Sequence, residues 1–152
     1  MSRVCTTISA AAMLLCLAGA AQAQMPNVRI SQIFTNGGGP TASPAPTYNR
    51  DFVELFNPTQ KTIDMTGWAV HTTSAGSTAT WARLFILGTD NTIAPGGYYM
   101  ISIPGGAVAA TNTLSADLVA TGGGLGTTCK VAITTTDGTI NGANPTANVI
   151  DK

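Results

Sequence analysis

Charged side chains are scarce in this 152-residue sequence, at 9% of it against about 25% in an average soluble domain. Seven basic and seven acidic residues cancel, so the chain lacks the positive field that gathers nucleic acid nonspecifically. Histidine occurs once, at His71, and only Cys129 lies beyond residue 23. Zinc sites need three or four His, Cys or acidic ligands, and those donors are missing. Asp51, Asp64, Asp90, Asp117 and Asp137 are scattered, without the D-x-D-x-D-G spacing of a calcium loop. No G-x-S-x-G elbow positions a serine beside His71, which therefore reads as an exposed or edge residue at a strand end. Glu54 is the only glutamate and has no second carboxylate placed to share acid–base work. Gly37-Gly38-Gly39 and Gly122-Gly123-Gly124-Leu125-Gly126 lack the Gly-Lys-Ser/Thr ending of a phosphate loop and read as flexible loops. No catalytic, metal-ligating or cofactor-binding residue is assigned.

Residues 1–23 stand apart. Arg3 precedes the uncharged apolar run Ile8–Ala21, and Ala21-Gln22-Ala23 places small residues at a cleavage site before Gln24. This is the three-part pattern of a secretory signal peptide. The run is shorter than the ~20 residues that span a bilayer. Cys16 follows Leu15, where a lipoprotein signal wants a small residue. Cleavage after Ala23 leaves residues 24–152 as the mature domain, with no membrane-spanning segment, in a secreted, periplasmic or cell-surface location. It removes Arg3, Cys5 and Cys16, so the domain carries one more acidic than basic group and no disulfide can form within it. Cys129 is either buried and inert or paired with another chain.

What the mature segment has is threonine, at 22 positions, with glycine and proline punctuating short apolar runs. That composition suits pleated strands and not helices, and no stretch sustains a helical period. Strands are predicted at Val28–Phe34, Phe52–Phe56, Trp68–His71, Trp81–Leu87, Gly97–Ile103, Leu118–Ala120, Lys130–Thr135 and Asn148–Ile150. Seven or eight short strands between turn signals predict an antiparallel β-sandwich. Asp137-Gly138 before Ile140 predicts a tight hairpin, and Pro95-Gly96 a type II turn. The segments 36–49, 105–113 and 121–128 read as surface loops.

Four segments carry a family resemblance. They are Val28-Arg29-Ile30-Ser31-Gln32-Ile33-Phe34 with its glycine loop; Asn49-Arg50-Asp51-Phe52-Val53-Glu54-Leu55-Phe56-Asn57-Pro58; Ile63-Asp64-Met65-Thr66-Gly67-Trp68-Ala69-Val70; and Ile93-Ala94-Pro95-Gly96-Gly97-Tyr98-Tyr99-Met100-Ile101. Together, over residues 27–151, they resemble the lamin-tail domain of exported bacterial proteins. The resemblance implies an immunoglobulin-like β-sandwich, in agreement with the strand count. Within it Phe52, Val53, Leu55, Gly67, Trp68, Val131 and Ile133 are expected in the core. Trp68 would be the central plug, burying ~150–250 Å² of ring surface, and Gly67 would permit a bend where a side chain would clash. Glu54, mid-strand, needs solvent or a partner; Arg50, Arg29 or a turn amide are the candidates. Val149-Ile150-Asp151-Lys152 begins a last strand and stops abruptly. The sequence thus reads as truncated there, or as the leading part of a longer protein.

Tyr48, Trp81 and Tyr98 form the candidate binding surface, a stacking platform if exposed. The function expected is a non-catalytic exported module that binds a protein or cell-surface partner. The alternatives are an accessory domain leading a secreted nuclease- or phosphatase-type hydrolase, or a carbohydrate-binding module.

Overall fold

The computed structural model describes residues 27–38, 47–105, 112 and 114–152. The signal-peptide pattern and most of the loops 36–49 and 105–113 lie outside the described residues. Ten strands follow in order: β1 (Arg29–Phe34), β2 (Asp51–Phe56), β3 (Ile63–Asp64), β4 (Ala69–Ser74), β5 (Ala82–Ile86), β6 (Thr92–Ile93), β7 (Tyr98–Ile103), β8 (Leu118–Val119), β9 (Cys129–Thr134) and β10 (Val149–Asp151). One four-stranded sheet runs β1-β2-β7-β8, a second runs β10-β9-β4-β5, and β3-β6 form a short ribbon. All pairs are antiparallel except β7 with β8. The all-β sandwich expected from the sequence is the fold.

Alternation decides which residues meet between the sheets, because successive side chains of a strand point to opposite faces. Val53 and Leu55 of β2 pair with Ile101 and Tyr99 of β7. Val70 of β4 pairs with Ile133 of β9, and Thr72 with Val131. These side chains, apart from Thr72, belong to one buried cluster with Met65, Leu87, Ile93 and Ile103. Its centre is aliphatic. Trp68 packs against this cluster only half-buried, while the fully enclosed neighbour in the same turn is Met65. The expectation that an indole plugs the core is corrected for a local reason. Met65 and Trp68 lie on the two sides of a turn closed by the Trp68 N–H donating to the Met65 carbonyl at 3.0 Å, and the flexible thioether fills the irregular interior space. Gly67 sits in that turn with φ +77°, and a Cβ there would meet nothing within 4 Å. Its role is the left-handed backbone and not relief of a clash. Gly96, at φ +67°, completes the predicted type II turn, with the Gly97 N–H donating to the Ala94 carbonyl.

The hairpin expected at Asp137-Gly138 does not form. Neither residue has positive φ, as a type I′ turn requires. Ile140 instead leaves the sheet and packs with Trp81 and Ala132 on the outer side of the second sheet. The chain returns as β10 only after residue 148, where β10 pairs with β9. The Asp151 carboxylate accepts the Ile30 N–H at 2.8 Å, joining this edge to β1.

Buried polar groups tie the loops to the sandwich. Asn57 is fully enclosed; its amide donates to the carbonyls of Lys61, Ile93 and Ala94, and its oxygen accepts from the Thr59 N–H and hydroxyl. Asp51 accepts from the N–H groups of Gly37 (2.8 Å) and Leu125 (3.0 Å), so one carboxylate pins two glycine-rich loops. Burial raises its pKa, and those two hydrogen bonds oppose the rise. A Cβ on Gly37 would lie 2.2 Å from the Arg50 backbone carbon. Gly37 and Gly38 are therefore packed elements and not a free loop.

Candidate binding surface

The face of the β1-β2-β7-β8 sheet turned away from the core carries the side chains that alternation excludes from it. Register sets them in three rows: Arg29, Phe56 and Tyr98; Gln32, Glu54 and Met100; Phe34, Phe52, Ser102 and Val119. At one end Phe34 stacks on Phe52, with ring centroids 5.4 Å apart, and Tyr48 meets both edge-on. That contact buries Phe52 on the outside of the sandwich, where the sequence placed it within the core. At the other end Phe56 and Tyr98 lie 4.8 Å apart, and Tyr98 is 61% exposed. Val119 is 57% exposed at the β8 edge.

Polar groups frame these rings. The Ser31 hydroxyl donates to the Glu54 carboxylate, so the partner of that mid-strand charge is a neighbouring hydroxyl on β1 and neither arginine nor a turn amide. Arg50 is engaged elsewhere, donating from Nε to the Ser102 hydroxyl (2.6 Å) and from Nη2 to the Ala120 carbonyl (2.8 Å). Asp117 closes the β7 edge where β8 has not begun, accepting the Met100 N–H at 2.7 Å and donating its own N–H to the Met100 carbonyl.

Of the three aromatic residues read as a platform, the structure leaves Tyr98 open, half-buries Tyr48 in the Phe34–Phe52 cluster, and encloses Trp81. Trp81 is 3% exposed and its indole N–H donates to the Gly142 carbonyl at 2.9 Å. It packs on Ala132, whose side chain points out of the second sheet. Trp81 and Tyr98 are thus on opposite outer faces and cannot grip one ligand. Phe56, which sequence reasoning did not single out, is the partner of Tyr98; the β2–β7 register that brings them together has no local signature.

His71 is also displaced from expectation. It lies on β4 opposite Ala132 of β9 and Arg83 of β5, is 1% exposed, and neither ring nitrogen has a hydrogen-bond partner. Burial lowers its pKa first and the Arg83 guanidinium second, with Asp137 opposing. Arg83 and Asp137 themselves pair at 3.2 Å on the surface. Among the described residues no three His, Cys, Asp or Glu side chains come together. Cys129 is a free, half-buried thiol beside Lys130, at a cavity of about 350 Å³ that Trp81 and Asn144 also line.

The chain is a β-sandwich whose outer sheet face presents the paired rings of Phe56 and Tyr98. The Lamin Tail Domain family model matches residues 21–151, and the chain belongs to that family. Comparison with curated proteins returned no match.

Proposed function

We propose that this chain is an exported attachment module that holds a protein or cell-surface partner against the outer face of the β1-β2-β7-β8 sheet. The observation that carries the reading is the Phe56–Tyr98 pair. Two adjacent aromatic rings on an outer sheet face, one of them mostly in water, offer apolar area at little ordering cost, and aromatic residues dominate binding energy where they become buried. Arg29, Gln32, Glu54 and Asp117 supply the polar rim that fixes register. The signal-peptide pattern supports delivery outside the cytoplasm.

Two measurements test it. N-terminal sequencing of material exported by an expression host is expected to begin at Gln24. Retention of that material on isolated cell envelopes is expected to fall at least about tenfold in a Phe56→Ser/Tyr98→Ser variant, the equivalent of ~1.4 kcal/mol, with an unchanged circular-dichroism spectrum. Equal retention by the folded variant would rule out this face.

A further inference from the structure

The segment between β9 and β10, residues 135–148, is a long connection without regular structure, and such loops in compact domains are commonly functional. Its backbone is fastened at many points. The Ile140 carbonyl accepts the Trp81 N–H (3.0 Å), and the Gly142 N–H donates to the Ala79 carbonyl (3.1 Å). The Gly142 carbonyl accepts the Trp81 indole (2.9 Å), the Ala143 carbonyl accepts from Lys130 Nζ (3.1 Å), and the Pro145 carbonyl accepts from Lys152 Nζ (2.5 Å). The Asn148 carbonyl accepts the Thr135 N–H at 2.9 Å. Most of the polar side chains around its cavity are not used this way. Thr139, Asn141, Asn144, Thr146 and Asn148 surround a cavity of about 390 Å³. Of these five, only Asn141 has a side-chain partner among the described residues, its Oδ1 accepting from the Thr80 hydroxyl at 2.8 Å.

We propose that this cavity is a binding site for a neutral saccharide. Its volume lies in the small-ligand range of about 300–1,000 Å³. Every polar side chain lining it is an amide or a hydroxyl, and no charged side chain lines it. A phosphate, carboxylate or metal ion would find no counter-charge among the lining side chains. An amide presents donor and acceptor side by side, the arrangement that two neighbouring sugar hydroxyls return. Ile140 and Pro145, both buried, contribute an apolar wall for the C–H face of a pyranose. No aromatic ring lines the cavity to stack a nucleobase. The fastened backbone fixes the points from which these side chains project before binding, so only their rotamers remain to be ordered. The site lies on the second sheet's side and does not depend on Phe56 or Tyr98.

The test is titration of the exported chain with neutral hexoses, N-acetylhexosamines, their disaccharides and the matching hexuronic acids, up to about 20 mM since weak sites bind near the millimolar range, following side-chain amide signals by NMR. Shifts confined to the amides of Asn141, Asn144 and Asn148 are expected for at least one sugar. An Asn144→Ala/Thr146→Val variant, which removes no side-chain hydrogen bond among the described residues, is expected to weaken binding by at least about tenfold with unchanged thermal stability, and Tyr98→Ala to bind as the parent does. Absence of those shifts with every sugar, equal affinity of the loop variant, or preference for hexuronic acids over their neutral counterparts would each overturn the proposal.

Discussion

Lowering the pH is expected to destabilise this domain through one buried side chain, His71. Its ring is enclosed, neither nitrogen is hydrogen-bonded, and burial depresses its pKa, assisted by Arg83. In the unfolded chain the imidazole titrates near 6.5. Between the depressed folded value and about 6.5, the unfolded state binds the proton and the folded state does not. Stability therefore has its full value above pH ~6.5 and is lost as pH falls through that window. A single group cannot impose a slope steeper than about 1.4 kcal/mol per pH unit, so the loss between pH 6.5 and 5 is at most about 2 kcal/mol on that slope. Asp51 acts in the opposite sense. Its folded pKa is raised by burial, so its contribution is present in acid and declines as pH rises through that value. The two are separated by His71→Leu, which keeps the branched shape and removes both unpartnered nitrogens. Urea unfolding at pH 7.5, 6.5, 5.5 and 5.0, followed by indole fluorescence, is expected to show less dependence on acid in the variant. At pH 7.5 the variant is expected to be more stable by about 1 kcal/mol, because an unsatisfied buried polar group costs ~1–3 kcal/mol. An identical pH profile in the two proteins, or a Leu variant less stable by more than about 2 kcal/mol, would show that the ring is hydrogen-bonded and the reasoning mistaken.

Asn57→Ala leaves the Thr59 N–H without its partner and removes the amide donor from the Lys61, Ile93 and Ala94 carbonyls in a sealed turn, and is expected to cost about 3 kcal/mol in denaturant unfolding. Alanine at Gly67 and at Gly37 separates two kinds of glycine requirement. At Gly67 only the positive φ is at stake, for about 1–2 kcal/mol; at Gly37 the added carbon meets the Arg50 backbone, and the loss is expected to be larger by calorimetry. Acrylamide quenching of single-tryptophan proteins is expected to reach Trp68 in a Trp81→Phe variant readily and Trp81 in a Trp68→Phe variant hardly at all, matching their burial.

The strands were legible because their signal is local. Val53 and Leu55 alternate with Phe52, Glu54 and Phe56, and turn residues such as Pro95-Gly96 bracket the next strand; both patterns act within a few residues. The inner face could be read for the same reason, since an aliphatic side chain at every second position has one place to go. The two indoles could not be ranked. Trp68 stands in a family-like turn and Trp81 begins an apolar strand, so proximity to motifs favours Trp68 as the buried one. The order is reversed by a segment some sixty residues further on, which folds back across the second sheet and closes over Trp81.

The same segment accounts for the other misreadings. Asp137-Gly138 carries the residue types of a tight turn, yet a hairpin there would draw Ile140 into pairing with β9 and leave the outer face of Trp81 and Ala132 in water. Sending Ile140 onto that face instead buries three apolar side chains together, at ~25 cal/mol per Å² of area removed from water. It also helps to account for the burial of His71, which shares a strand rung with Ala132. Residues 135–148 thus act as a lid for the second sheet. The first sheet has no such segment across Phe56 and Tyr98 among the described residues, and that asymmetry is the physical reason to look for a partner on that side.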